Sequence, residues 1–321
     1  MGKVLVSASH FDTLCTQAWT LLEQHGHEVV YDSKREFPAY NHTELLSILK
    51  DIDAAIIGMD QYVSDVFDAA PQLKVVAKFG VGVDNIDLSA ATAHGVKVVN
   101  APGQNSNAVA ELTVGMMIDL LRSVVPLHEQ MEQGHWPRLL GNELKGKTVG
   151  LVGFGAIARL VAKKLRCFDV TVQACDLYMD EKLAEELGVQ VRTMDEVLTT
   201  SDIVSLHIPA TAQTHHLICR ETVSRMRDGV YLLNPARGAL VDLEAVCDGL
   251  ESGKIAGAAF DAYELEPLPK DARILHSGNV ICMPHIGAET KEAYNNVSLC
   301  VAENIIDVLD GKAPKCWVNK W

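Results

Sequence analysis

The chain has 321 residues, 42 of them acidic and 28 basic, for a net charge of −14. That balance leaves no basic footprint for a nucleic-acid backbone and disfavours an anionic membrane surface. Mean hydropathy is +0.09, and no run of about 18 apolar residues occurs, which argues against a membrane span. At 48% apolar and 22% charged, the composition is that of an ordinary folded protein, with length for two domains.

The amino terminus passes from Met1 directly into a strand-like run, Lys3-Val4-Leu5-Val6, without the apolar core of a signal peptide. Eight cysteines include no Cys-x-x-Cys pair. The expectation is a cytoplasmic chain with free, mostly buried thiols, without a zinc ribbon or dithiol motif, and no metal is called for.

From there to residue 99, short apolar runs alternate with amphipathic stretches. Strands are predicted at 3–6, 28–31, 54–58, 73–77 and 96–99, with helices around Trp19–Leu22, 44–50, 65–70 and 88–94. Strands apolar throughout, alternating with helices, imply a parallel sheet covered on both faces. Asn100-Ala101-Pro102-Gly103 is a turn cluster and a candidate junction. Beyond it, Val109, Leu112, Met116 and Leu120 form one stripe of a helix running to about Val125, capped by Ser106 or Asn107. Such a helix must bury its face, and a partner subunit is one way to do so. A second series begins at Lys147, with strands at 148–152, 170–174, 203–206, 230–234, 256–260 and 280–283. A last helix, Lys291 to Leu309, stops before Gly311 and Pro314.

Gly153-Phe154-Gly155-Ala156-Ile157-Ala158 follows the strand 148–152 and opens a helix. Gly153 allows the tight turn, Gly155 lets a pyrophosphate approach the backbone, and Ala158 is small enough for close helix–strand packing. The helix start at Ala156 and Ile157 offers N–H groups to an anion. Such a loop alone is weak evidence. Asp176, 23 residues beyond Gly153 and just past the next strand, strengthens it, because an acid there accepts from the adenosine ribose. It would repel a 2′-phosphate, and Leu177, Tyr178 and Met179 offer no cation, so NAD is favoured over NADP.

Three side chains stand at strand ends further on: Arg237 in Asn234-Pro235-Ala236-Arg237-Gly238, Glu266 in Asp261-Ala262-Tyr263-Glu264-Leu265-Glu266, and His285 in Pro284-His285-Ile286-Gly287. Each alone reads as a surface arginine, a solvated acid or a structural histidine; His215-His216 reads as a polar loop pair. Together they supply what oxidation of a 2-hydroxy acid requires: a cation for the carboxylate, a base for the hydroxyl proton and a carboxylate to orient that base.

The segments 79–87, 100–111, 206–209, 234–238, 257–267 and 284–288, with the glycine loop, resemble the D-isomer-specific 2-hydroxyacid dehydrogenases, most of all their phosphoglycerate-dehydrogenase-like branch. The resemblance covers nearly the whole chain. It implies an α/β protein in which a Rossmann-type NAD-binding domain, residues 100–287, is inserted into a flavodoxin-like substrate domain, residues 1–99 and 288–321, with a cleft that closes around the substrate. It also implies roles. Arg237 matches the arginine that grips the substrate, His285 the general acid/base and Glu266 its carboxylate partner. The N–H groups around Val81 and Gly82 match a carboxylate-binding turn, and Asp261 matches the residue that bonds the nicotinamide carboxamide. Ile208, Pro235 and Ile286-Gly287-Ala288 would line the cofactor cleft. Members pack as dimers through the helix matching 107–125.

Two departures bear on ligands. Ala156 stands where the family often has arginine, which implies modest cofactor affinity. The segment Ile57-Gly58-Met59-Asp60 lacks the arginine that some phosphoglycerate dehydrogenases place there, and Asp60 is expected to repel a phosphate; Lys78 is the alternative anion contact. The expected function is hydride transfer between NAD(H) and a small 2-hydroxy or 2-oxo acid, with D-3-phosphoglycerate among the candidates. The alternatives are a glyoxylate or hydroxypyruvate reductase and, from another class, an NAD-sensing scaffold of the corepressor type.

Overall fold

The structure, a computed structural model, describes residues 2–35 and 39–321. It divides into two compact units, one of Met1–Asn105 with Ala288–Trp321 and one of Ser106–Gly287. The first unit runs β1 (Lys3–Val6), α1 (Phe11–Leu14), α2 (Thr16–Gln24), β2 (Glu28–Val30), α3 (His42–Ile48), β3 (Ala54–Ile57), α4 (Ser64–Asp68), β4 (Val75–Lys78), α5 (Leu88–Ala93) and β5 (Lys97–Val99). The second unit runs α6 (Ser106–Arg122), α7 (Val124–Glu132), β6 (Thr148–Val152), α8 (Ala156–Leu165), β7 (Thr171–Cys175), α9 (Glu181–Leu187), β8 (Gln190–Val191), α10 (Met194–Thr200), β9 (Ile203–Leu206), α11 (Arg220–Arg225), β10 (Val230–Asn234), α12 (Leu243–Glu251), β11 (Ile255–Phe260) and β12 (Val280–Cys282). The chain then returns to the first unit as α13 (Lys291–Leu309).

Both sheets are parallel, with orders β2-β1-β3-β4-β5 and β12-β11-β10-β9-β6-β7-β8. These are the flavodoxin-like and Rossmann orders. In each, the strand order reverses once, between β1 and β3 and between β6 and β9, and such a reversal opens a crevice at the carboxyl ends of the strands.

Period-two alternation divides each sheet between two cores. Val4, Val6, Ala54 and Ile56 pack on one face with α2 and α13, while Leu5, Ala55 and Ile57 pack on the other with α3, α4 and α5. In the second unit Val149, Leu151 and Leu233 share a core with α6 and α8, and Val152, Leu232 and Phe260 share one with α12. Local signals set the helix starts. Asn41 with Glu44 and Thr193 with Glu196 form capping boxes on α3 and α10, and Thr290 caps α13.

Several expectations are corrected. The long helix ends at Arg122, because Ser123 takes a left-handed conformation (φ 51°) and α7 departs from there. Neither Ser106 nor Asn107 caps it. Ser106 is its first helical residue and is buried, and the Asn107 amide reaches Glu111 instead. The stripe of α6 is buried within its own unit, where Met116 and Leu120 are 3% and 1% exposed. The eight cysteines are all free, but only Cys15, Cys175 and Cys247 are buried, and Cys167 is exposed. Asp60 cannot repel a ligand from the surface. It is an internal acceptor for the Tyr40 N–H (2.7 Å) and the Ser7 hydroxyl, and burial pushes its carboxyl up. Among the described residues, no helix is long and apolar enough to cross a membrane.

Ile305 lies fully buried on the face of α13 that packs on the five-stranded sheet. Ile305→Ala should cost about 2–5 kcal/mol of that unit's stability, read as a lower urea midpoint by circular dichroism.

Candidate active site

The glycine loop joins β6 to α8 at the switch point of the seven-stranded sheet. Gly153 has φ 99°, and a Cβ there would lie 2.6 Å from the His207 carbonyl oxygen at the end of β9 and 2.8 Å from Ile208 Cγ2. Only glycine lets the two strand ends approach so closely. Gly155 precedes the first residue of α8, with no side-chain cap and open space where a Cβ would stand. Exposed Ala156 and half-buried Ile157 begin the helix, and Ala158 is fully buried against the sheet. An uncapped helix start with open space above it fits the pyrophosphate of a dinucleotide.

Asp176, at the end of β7, holds this loop from the side. Its carboxylate accepts from the Phe154 N–H (2.7 Å) and the Tyr178 N–H (2.8 Å). Arg159 lies outside the sequence-based expectation. One turn into α8, its Nε donates to the Phe154 carbonyl (2.7 Å) and its guanidinium lies 5.4 Å from the Phe154 ring centre. A cation is therefore bonded to the glycine loop although position 156 is alanine. The signal is present in the sequence as an arginine within the first turn and a half of the helix.

The Arg237 turn follows β10. Asn234, fully buried, donates from its amide to the Arg237 carbonyl (2.7 Å) and accepts from the Ala236 N–H (3.2 Å). Pro235 is buried between them. Gly238 comes so close to the backbone of Tyr263 and Glu264 that a Cβ would collide with both. This contact brings the arginine turn beside the loop that carries Glu266. The Arg237 Nη1 donates to the Ala236 carbonyl (2.7 Å).

Glu266 and His285 form an ion pair. The His285 Nδ1 lies 2.9 Å and 3.0 Å from the two Glu266 carboxylate oxygens. Glu266 also accepts from the Tyr263 N–H (2.9 Å). Burial pushes the Glu266 carboxyl up, but His285, the Tyr263 N–H and the Arg237 charge outweigh it, and the net direction is down. The hydrogen bond to Glu266 raises the His285 imidazole above its usual range, against burial and the repulsion of Arg237. With Nδ1 engaged, Nε2 is the ring atom left for proton exchange.

His285 has φ 56°, a left-handed conformation that non-glycine residues adopt at a cost. Asp261 stabilises the turn. Its buried carboxylate accepts from the Ile286 N–H (2.8 Å) and the Gly287 N–H (2.7 Å). Gly287 is required there, since a Cβ would lie 2.9 Å from Asp261 Oδ2. The structure thus gives Asp261 a positioning contact that residue spacing does not reveal.

The structure brings Arg237, Glu266, His285 and Asp261 together within the second unit. Val81 and Gly82 belong to the first unit, in the turn after β4, where Asn100 Nδ2 holds the Val81 carbonyl (2.7 Å) and the Ala101 N–H holds that of Gly80 (2.8 Å). Among the described residues, the Val81 and Gly82 N–H groups donate to no protein acceptor, an arrangement suited to an anion.

Comparison with known proteins decides the family. The profile of the D-isomer specific 2-hydroxyacid dehydrogenase NAD-binding domain matches residues 114–287. The chain belongs to this family. A glyoxylate reductase of Thermofilum pendens is 40% identical over 91% of this chain and 88% of its own length. A D-3-phosphoglycerate dehydrogenase of Methanocaldococcus jannaschii is 39% identical over 99% of this chain, which spans only 60% of that relative. The solved TT0316 protein of Thermus thermophilus superimposes with a TM-score of 0.89 at 34% identity, over 98% of this chain and 99% of that one. As a D-2-hydroxyacid dehydrogenase, the protein is an oxidoreductase that uses NAD and acts on a CH–OH group.

Because Glu266 is the first cause of the raised His285 pKa, Glu266→Gln should bring that pKa down. An NMR pH titration of the imidazole protons in both proteins checks this.

Proposed function

We propose that the protein reduces a small, unphosphorylated 2-oxo acid, such as glyoxylate or hydroxypyruvate, with NADH. The observation that carries this reading is the Arg237, Glu266 and His285 group at the same carboxyl edge of the seven-stranded sheet as a loop suited to a dinucleotide. Arg237 is assigned the substrate carboxylate and carbonyl, as a bidentate donor. His285 Nε2 is assigned the proton that passes to the carbonyl oxygen, and Glu266 holds the imidazole charged and oriented through Nδ1. The bound nicotinamide supplies the hydride. Gly153, Gly155, Ala156, Ile157, Asp176, Ile208, Pro235, Asp261 and Gly287 are assigned to the cofactor. The free N–H groups of Val81 and Gly82 are assigned to the substrate carboxylate.

The choice of an unphosphorylated acid rests on the first unit. No arginine occurs in 57–60. The Lys78 ammonium is bonded to the Gly58 carbonyl and to Asn85 Oδ1 (2.9 Å), which ties β4 to the end of β3. The similarity to a glyoxylate reductase over most of both chains supports the same choice. Eight free thiols support a reducing, cytoplasmic location.

NADH oxidation measured against glyoxylate, hydroxypyruvate, pyruvate and 3-phosphohydroxypyruvate tests the assignment. At least tenfold higher kcat/KM for an unphosphorylated acid is expected, and preference for the phosphorylated one would overturn it. His285→Ala should lower kcat by about 10²–10⁴-fold with NADH affinity retained. The reduction rate should fall as pH rises through the raised His285 pKa, because the imidazolium is the proton donor; the reverse reaction should rise over the same interval.

We also infer a homodimer. Helix α7 buries no residue, and Val124, Met131, Trp136, Leu139 and Leu140 on it and the segment after it are largely exposed. Exposed apolar side chains of this kind suit an interface, and a second copy is the partner that the family resemblance implies, there through the helix matching 107–125. Sedimentation should give twice the chain mass, and Trp136→Glu with Leu140→Glu should give the monomer.

A further inference from the structure

The loop after β9 and the loop after β11 bring together three side chains that the reaction does not use. His215 and His216 are consecutive, and consecutive side chains of an extended chain point in opposite directions. Here their rings stack instead, with centres 3.9 Å apart and planes 25° apart. The cause is local. His216 has φ 47°, and its N–H is tied to the Ala239 carbonyl (2.8 Å), so the backbone turns at that residue and both rings leave on one side. The turn before them is fixed by Thr214, whose hydroxyl donates to the Pro209 carbonyl (2.8 Å).

Both Nε2 atoms converge on one carboxylate. His215 Nε2 lies 3.3 Å from Glu264 Oε1 and His216 Nε2 lies 3.0 Å from Oε2. The Glu264 backbone is itself held by its packing on Gly238. All three side chains are partly exposed, between 36% and 53%, and an ion can reach them.

These separations are near those of a coordination shell. Imidazole nitrogen and carboxylate oxygen bind zinc at about 2.0–2.2 Å, which sets the edge of the tetrahedron at roughly 3.3–3.6 Å. All three ligand atoms already lie within 4.8 Å of one another. A set of two nitrogens and one oxygen favours zinc and its neighbours over magnesium or calcium, which prefer oxygen.

We propose that His215, His216 and Glu264 form a zinc(II)-type transition-metal site. Occupancy ties the loop after β9 to Glu264, two residues before Glu266, and stiffens the loop that carries the partner of His285. The site is independent of the substrate assignment.

Titration of the full chain with zinc by calorimetry tests it, with cobalt(II) as a spectroscopic stand-in. One equivalent should bind, and cobalt should show the visible absorption of a tetrahedral site. His215→Asn, His216→Asn and Glu264→Gln should each weaken zinc at least about 100-fold, the upper end of what loss of an outer-sphere partner costs. Asparagine tolerates the left-handed backbone at 216, and the amide oxygen introduced by Glu264→Gln still accepts a hydrogen bond from one of the histidines, so neither change need disturb the loops. Circular dichroism melts confirm that the variants fold. His285→Ala should bind zinc as the parent does. Failure to bind one equivalent, or equal binding by all three variants, would overturn the proposal.

Discussion

The buried Asp261 carboxylate is the constraint on which the candidate site depends. It accepts two backbone N–H groups, from Ile286 and Gly287, and so offsets the cost of the left-handed backbone at His285. Without those bonds the buried Gly287 donor would lose its partner, at about 1–3 kcal/mol, the part-buried Ile286 donor would lose its own, and the turn could relax toward an ordinary conformation. Asp261 can do this because β11 and β12 are adjacent parallel strands, so their carboxyl ends lie side by side. The sheet order thus determines where the imidazole stands.

Around that turn the charges balance one another. Glu266 raises the proton affinity of His285, while Arg237 lowers it. Removing Glu266 would lower the proton affinity of the imidazole, and removing Arg237 would raise it. The close packing of Gly238 on Tyr263 and Glu264 sets the arginine turn against the carboxylate loop, and the Tyr263 N–H then fixes Glu266. The same loop carries Glu264 on its outer side, facing the stacked histidines. One short segment thereby serves two separate groups of polar side chains.

The first unit repeats the logic with different residues. Its polar groups at the sheet edge are mostly committed to structure: Asp60 to Tyr40 and Ser7, Lys78 to Gly58 and Asn85. Those commitments explain why charge counting along the sequence misjudges them. Counting makes Asp60 a repulsive surface charge, but the fold returns it to the interior with two donors.

Residue order by itself determined the alternation of buried strands and helices, the glycine loop with Asp176, and the grouping of Arg237, Glu266 and His285 at strand ends. These are local or periodic properties, set by side-chain polarity at spacings of two and 3.6 residues and by the steric freedom of glycine. The end of α6 at Ser123, the fate of Asp60 and Lys78 and the clamp made by Asp261 were decided only by tertiary structure. Each depends on a partner far away in sequence or on one backbone angle, and neither leaves a periodic trace. The stacking of His215 on His216 belongs to the same class, since a single left-handed residue converts a polar loop pair into two nitrogens facing one carboxylate 48 residues further along the chain.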